Sequence, residues 1–485
     1  MLFRKPAYAT KQLLVGVACL LFSTSAGWAQ SASQDADVQQ SQAPTTGAPP
    51  AMGQEPPPSL SSDFPPLSGL DEPTLEPNVL ARSYFSYGAQ VGQSADTNAS
   101  NSLRRGATVT GITHVLGTAA LEKLWPTFES ALSYAGGGAF YTGGFRTNTQ
   151  VHALSLDLRY KWRTGALAIR DRATYLPEGT FGGGFGGVGG ALGGLGGGVG
   201  AGEGGNRFLF FGQGLFGSLT AAPRFDNLST VDIMQALSPR SAITLAGGFN
   251  LLHFTHSTGG LLIDSQQVTG QAGYDYSLSR RDKVAIAYGY QHFHFPQAGG
   301  AGFETNVVQA LYGHQISGRM DFLIGAGPQF TRFSSPAQGQ SLRVAGTGRA
   351  SLRYRFPRTS VSVTYDHYTS AASGFFAGAT TDYANGNLTR PLGRTWLLAA
   401  DVGYARNHRL QQIGLGIPTS SYQTGTAGLR LSHLLTRTLR VFASYQFTDL
   451  VFNSSFCASG NCGNTLNRHI VTVGLSWHAQ PIRLD

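Results

Sequence analysis

Charge is scarce in this chain: Asp, Glu, Lys and Arg make up 13% of its 485 residues, against roughly a quarter in an ordinary soluble protein. That shortage argues against the two or three soluble domains the length alone would allow. Long apolar runs are missing after the first thirty residues, which excludes helices that cross a membrane, since each needs about 18 apolar residues. Catalytic signatures are missing as well. The chain has 12 His but no Gly-x-Ser-x-Gly and no His-Glu-x-x-His, so no catalytic residue is named, no enzyme activity is expected, and neither a metal nor another cofactor is implied. What is present is 41% hydrophobic residues with 29 Phe and 19 Tyr, far from the signature of a disordered chain. Low charge, many aromatics and no spanning helix leave a membrane β-barrel.

The first residues give an address. Arg4, Lys5 and Lys11 precede the apolar core Leu13 to Phe22, and Gly27 and Ala29 suit the −3 and −1 positions of a cleavage site. Residues 1–29 therefore read as a secretory signal peptide. Its removal takes away three cations and lowers the net charge from +9 to +6. Cys19 opens a lipoprotein alternative, but it lies inside the apolar core. Of 3 cysteines only Cys457 and Cys462 then remain, in a polar stretch of an exported chain, where a disulfide pinching a surface loop is the favoured reading and zinc the weaker one.

Residues 30–80 hold ten prolines among Ser, Gln, Thr and Ala and read as an extended, disordered periplasmic linker. From residue 81 to 485 the pattern changes to period two. In 152–162, His152, Leu154, Leu156, Leu158, Tyr160 and Trp162 share one face, while Ser155, Asp157, Arg159 and Lys161 share the other. Segment 343–356 repeats the pattern, with Val344, Ala350, Leu352, Tyr354 and Phe356 set against Arg343, Arg349, Arg353 and Arg355. Alternation of this kind belongs to strands with one apolar and one wet face.

Six short turns resemble one another: Leu237-Ser-Pro-Arg240, Leu278-Ser-Arg-Arg281, Ile316-Ser-Gly-Arg319, Phe356-Pro-Arg358, Pro391-Leu-Gly-Arg394 and Leu435-Thr-Arg437. Their arginines are spaced by 41, 38, 39, 36 and 43 residues, room for two strands and a long loop but not for the four strands of a propeller blade. The rhythm predicts an all-β, antiparallel, up-and-down transmembrane barrel of about 18 strands, among them 105–115, 165–176, 241–254, 282–295 and 421–434, with 16 strands as the alternative. Both ends fall on the short-turn side. A soluble sandwich is disfavoured by the strand lengths and by aromatics near the strand ends, among them Tyr160, Trp162, Tyr274, Tyr276, Tyr445 and Trp477. His292 and His294 alternate with Phe293 and Phe295 and read as an amphipathic girdle rather than as metal ligands.

Register follows from energy, because an arginine facing lipid costs about 2–4 kcal/mol near the midplane. The wet face must then be the lumen. Arg159, Lys161, Arg170, Arg172, Arg343, Arg349, Arg353, Arg355, Arg430 and Arg440 point inward, opposed by Asp157, Asp232, Asp275, Asp366 and Asp401. The excess of cations biases the lumen toward anions. The competing reading is that these arginines pair with the acids and only fill a wall.

With its export signal, hairpin rhythm and final segment His469-Ile-Val-Thr-Val-Gly-Leu-Ser-Trp477, the chain resembles outer-membrane β-barrel proteins, and more narrowly porins associated with exopolysaccharide export. The resemblance implies a final aromatic residue read by the barrel-assembly machinery, a role that Trp477 suits, although the tail His478 to Asp485 departs from the usual ending. It also implies outer-membrane lipid as the surroundings. Residues 179–205 hold 17 glycines within a long loop over 179–227, the third in order. The third loop of general porins folds inward, so this one is either a constriction or a plain extracellular loop.

The expected function is a porin-like channel of a Gram-negative-type outer membrane for polar solutes, small anions or an exported, anionic polysaccharide. The alternative is a non-conducting barrel that works as an adhesin or scaffold through its long loops. A membrane hydrolase is the distant third, and no nucleic-acid partner is expected.

Overall fold

The computed structural model describes residues 66–69, 83–99, 109–142, 148–176, 223–255, 262–297, 301–335, 339–356, 358–371, 376–410, 420–453 and 464–484. The expected signal peptide, most of the expected linker over 30–80, the Gly-rich stretch 179–205, and Cys457 and Cys462 of the expected disulfide lie outside them. Every regular element described is a strand.

The first nine are β1 (Tyr84–Asp96), β2 (Thr110–Leu124), β3 (Phe128–Tyr141), β4 (Thr149–Trp162), β5 (Gly165–Leu176), β6 (Arg224–Ser238), β7 (Ser241–Phe254), β8 (Ser265–Ser277) and β9 (Asp282–Phe295). Then come β10 (Ala301–Ser317), β11 (Met320–Ser335), β12 (Gly339–Phe356), β13 (Thr359–Ser370), β14 (Ala379–Leu392), β15 (Trp396–Arg409), β16 (Ser421–Leu434), β17 (Leu439–Phe452) and β18 (Thr465–His478). Each pairs antiparallel with its chain neighbours, and β1 closes the ring on β18 with Val91 opposite Leu475 and Gly88 opposite His478. The fold is a closed, antiparallel, 18-strand barrel. Closure leaves no free sheet edge.

The final residues reinforce the seam. β19 (Ile482–Arg483) pairs with Tyr84 and Phe85 at the start of β1, Ala479 N donates to Tyr87 O, and Lys123 Nζ donates to Leu484 O. The tail after Trp477, a departure from the usual ending, is thus bound along the first strand.

The recurrent short turn has a local cause. The hydroxyls of Ser238, Ser279, Ser317 and Thr436 each accept the amide N–H two residues on, from Arg240, Arg281, Arg319 and Thr438, at 3.0–3.3 Å. A hydroxyl at that position substitutes for a missing ladder partner and reverses the chain in few residues.

Burial alternates as sharply as hydropathy. In β1, Tyr87, Ala89, Val91, Gln93 and Ala95 are exposed, and Gly88, Gln90, Gly92, Ser94 and Asp96 are buried. Exposed side chains around the ring are apolar or aromatic, with Val473, Val344, Ile286, Leu245 and Val402 among them. The buried partners face inward. Strands of 14 residues at ~3.3 Å per residue, tilted by ~40°, rise roughly 35 Å, enough for an apolar band of about 25 Å and its two borders. The border toward the long loops is marked by outward tyrosines whose hydroxyls reach the next strand: Tyr134 to His152, Tyr288 to Asn306, Tyr365 to Asp382, Tyr404 to Gln423 and Tyr445 to His469, at 2.6–3.2 Å. Near the short turns the outward face carries Trp162, whose Nε1 donates to Gln235 at 2.9 Å, and Trp396 against His433. These rings put an apolar body beside a polar tip, as a membrane–water boundary requires.

Expected and observed strands coincide closely from β3 onward. The clearest displacement is β2, expected over 105–115 and found at Thr110–Leu124. Its second half, Gly117-Thr-Ala-Ala-Leu-Glu-Lys, lacks strong alternation, and pairing with β1 and β3 holds it in the sheet instead.

Candidate functional site

The lumen is the one place where the fold gathers polar side chains of many strands, and it has three storeys. The storey toward the short turns is charged. Of the ten cations expected to face inward, Arg170 and Arg353 are buried, Arg159, Arg172, Arg349, Arg355, Arg430 and Arg440 are half-buried, and Lys161 and Arg343 are exposed. Arg170 meets two aspartates, Asp232 at 2.5 Å and Asp157 at 3.5 Å. Arg353 donates from Nε to Asp321 at 2.9 Å, Arg349 sits 3.3 Å from Asp366, and Lys161 pairs with Glu129. Arg430 stands over the ring of Phe442 at 5.7 Å. Arg159 lies opposite Glu129 on the neighbouring strand, Arg355 opposite Ser360 and Arg440 opposite Ser476, whereas Arg343, opposite Thr331, stands toward the long-loop end of β12. Arg172 continues the phase of Arg170 toward the loops. Of the expected counter-charges, Asp157, Asp232 and Asp366 do meet arginines. Asp275 instead holds a segment of the chain N-terminal to the barrel, and Asp401 packs against Gly428.

The middle storey is neutral and hydrogen-bonding. Gln90, Asn250, Gln267, Gln271, Gln309, Gln329, Asn385 and Gln446 line it together with Ser94, Thr269, Thr305, Thr331, Thr347, Thr424, Thr448 and Thr472, all of them buried. Some bond to one another: Ser94 to Thr472 at 2.7 Å, His114 to Ser94 at 2.9 Å, and Gln309 Nε2 to Thr347 at 3.1 Å. The acceptor oxygens of Gln267, Gln309, Asn385 and Gln446 receive no hydrogen bond among the described residues. These atoms are themselves closed off from solvent, so in the folded barrel they call for ordered internal water.

The third storey, toward the long loops, is apolar. Phe293, Phe295, Phe303 and Phe333 form one stack, with Phe293 and Phe303 centroids 4.4 Å apart. A second cluster joins Leu252 and Phe254 of β7 and Leu262 to Tyr422, Leu450, Phe452 and Leu466 of β16–β18. Those strands stand on opposite walls of the ring, so the cluster crosses the lumen. Phe376 bridges it, 5.4 Å from Tyr422 and beneath Arg409. Gly378 beside it has φ +92, a backbone that favours glycine, and an added Cβ would fall 2.4 Å from Phe303. Asp264 ties the β7–β8 loop in place, accepting from Phe254 N and Gln297 Nε2 at 2.9 Å and lying 2.6 Å from His253 Nδ1. The girdle expected at 292–295 is thereby corrected. His292 and His294 face outward, but Phe293 and Phe295 are fully buried inside. Alternation alone placed them on opposite faces; which face meets lipid was set by the rest of β9, where Ile286 and Tyr288 are exposed.

A buried pair staples the barrel's seam just beneath this apolar layer. Arg468 of β18 donates from Nε to both Asp96 oxygens of β1 at 3.0 Å, and its second nitrogen also meets Asp96. Sequence reasoning passed over it because the two residues are 372 positions apart. Trp477, the expected assembly signal, faces outward and stands edge-on to Tyr87 at 5.9 Å. Among the described residues, no three His, Cys, Asp or Glu side chains converge as metal ligands.

No protein-family model matches the chain, and no curated protein matches its sequence. Solved structures similar to it include OccK2 (OpdF) of Pseudomonas aeruginosa, at 10% identity and TM-score 0.41 over 82% of this chain and 98% of that one. Another is the FrpB iron transporter of Neisseria meningitidis (F5-1 variant), at 6% identity and TM-score 0.40 over 82% of this chain and 83% of that one. The outer membrane protein opdK of Pseudomonas aeruginosa is similar at 8% identity and TM-score 0.38, over 82% and 98% of the two chains. At these values the barrel assignment rests on the strand pairing of the chain itself.

Proposed function

We propose that the chain is an outer-membrane channel for polar solutes, hydroxyl-rich ones such as polysaccharide chains above all, with a preference for anions. The supporting observation is the middle storey, an inward lining of amides and hydroxyls behind a wall whose outer face is apolar. Amides and hydroxyls both donate and accept hydrogen bonds, as sugar hydroxyls do, so a lining of this chemistry suits a hydroxyl-rich chain. The cations outnumber the acids they meet, which supports the anion preference. The pairing of Arg170, Arg349 and Arg353 makes that field weaker than the charge count suggests.

Both termini and the short turns then face the periplasm, as in bacterial outer-membrane barrels, and the turn arginines lie near lipid phosphates. In this reading the barrel-assembly machinery takes Trp477 as its signal, and passage is passive, with no catalytic residue. The apolar cluster crossing the lumen favours a second reading, a closed barrel that works as an adhesin or scaffold through its long loops. Single-channel recording of the folded mature protein in a planar bilayer separates the two. Steady openings, blocked by an added oligosaccharide, support the channel. A folded barrel that stays silent after Phe376→Ala loosens the cluster supports the second reading.

A further inference from the structure

Four residues of the proline-rich stretch, Pro66–Gly69, lie inside the barrel against the wall of β7 to β11. Gly69 N donates to Pro66 O at 3.3 Å and closes a tight turn. Leu67 N and Ser68 N donate to Asp275 Oδ1 at 2.5 and 3.3 Å, and the Ser68 hydroxyl donates to Asp275 Oδ2. The Ser68 carbonyl accepts from Gln271 Nε2 at 2.6 Å and from Thr244 Oγ1 at 3.1 Å. The Leu67 side chain joins an apolar hollow of Ala285, Ala287, Val307, Leu311 and Leu323. Ser68 is 0% exposed, and Leu67 and Asp275 are 5% exposed.

The wall is shaped for this turn. At Gly273 an added Cβ would fall 2.2 Å from the Ser68 Cβ, so only a bare backbone lets the serine reach Asp275. A carboxylate is the right partner for it, since Leu67 N, Ser68 N and the serine hydroxyl are all donors and a carboxylate only accepts. Both the backbone and the side chain of Ser68 are satisfied, and the leucine beside it fills an apolar hollow. In the ring, β8 stands seven strands from β1, so the turn is held on the far wall from Ser83, where the strand series begins.

We propose that Thr244, Gln271, Gly273 and Asp275, with the hollow around Leu311, form a peptide-binding recess of the lumen wall that takes a Leu-Ser-Gly turn, and that this chain's own Pro66–Gly69 is its occupant. Pro66–Gly69 is then held inside the lumen by the wall of β7 to β11.

The test uses the folded mature chain with Cys457 and Cys462 changed to Ser and Leu67→Cys as a reporter, and it does not depend on conductance. Labelling of that thiol by a water-soluble maleimide is expected to be slow, and to quicken by about tenfold or more when Gly273→Val or Asp275→Ala is added, since the first displaces Ser68 by a clash and the second deletes the carboxylate that accepts from the turn. Equal rates in all three proteins, fast or slow, would overturn the proposal. Heat-modifiable migration in gels checks that each variant is folded, and the two variants back each other should one fail. A second arm removes residues 30–69 and adds a fluorescent peptide spanning 62–72. Saturable binding that is lost with Gly273→Val supports a recess specific for the turn; absent binding, or binding indifferent to Gly273→Val, refutes it.

Discussion

At the scale of the residue, the pair Asp96–Arg468 carries a clear consequence. Both side chains are essentially unexposed, and the guanidinium reaches both carboxylate oxygens. Removing one partner leaves a buried charge without its counterpart, at a cost of about 3–5 kcal/mol. Asp96→Ala is therefore expected to lower the unfolding free energy by that amount in urea titrations of the folded barrel, and Asp96→Leu with Arg468→Leu to recover much of it. Outward residues carry the opposite sign. Val473 is 54% exposed on the apolar face, near the middle of β18. Val473→Arg should cost about 2–4 kcal/mol in a bilayer relative to Val473→Ala. Equal stability of the two variants would mean that this face does not meet lipid.

At the scale of the element, the loop-end cluster, termed the lid below, joins strand ends to the Phe376–Gly378 stretch in an apolar layer across the lumen. Gly378→Val adds both a backbone penalty at φ +92 and a clash with Phe303, so the Phe376 loop must move. The expected outcome is a barrel of unchanged strand content, by circular dichroism, with larger or more frequent openings in single-channel recording. This scale also shows what the sequence could and could not display. Strand number, phase and hairpin rhythm were legible because period-two alternation and the Ser-x-Arg turns act over a few residues, and β5, β7, β9 and β16 match expectation to the residue. The expectation for the ten cations rested on the cost of an arginine facing lipid, and the burial of Arg170 and Arg353 agrees with it. The lid, the Asp96–Arg468 staple and the docking of Leu67 and Ser68 were not legible, since each joins residues brought together only by closure of the ring. A signal for the lid did exist: Phe254, Phe293, Phe295, Phe333 and Phe452 all sit at strand ends toward long loops, in the phase of the polar face.

At the scale of the whole molecule, the question is how much field the paired arginines leave in the lumen. Arg349 and Arg353 each sit against an aspartate, Asp366 and Asp321. Changing both arginines to Ser does more than remove two cations, because it also leaves two carboxylates without their partners inside a low-dielectric wall, where charge acts over longer distances than in bulk water. Reversal potentials in a salt gradient should therefore shift toward cations. Restoring neutrality with Asp321→Asn and Asp366→Asn in the same chain should bring them back toward the starting value. If instead the double arginine variant conducts with unchanged selectivity, these pairs only fill the wall and the filter lies elsewhere, in the neutral middle storey. That outcome would favour hydrogen bonding over charge as the basis of selection, and block by a neutral oligosaccharide should then match block by a charged one of equal length. Salt separates the two cases further, since a charge filter weakens as ionic strength rises and the Debye length falls to ~3 Å at 1 M, while a hydrogen-bonding filter holds its preference.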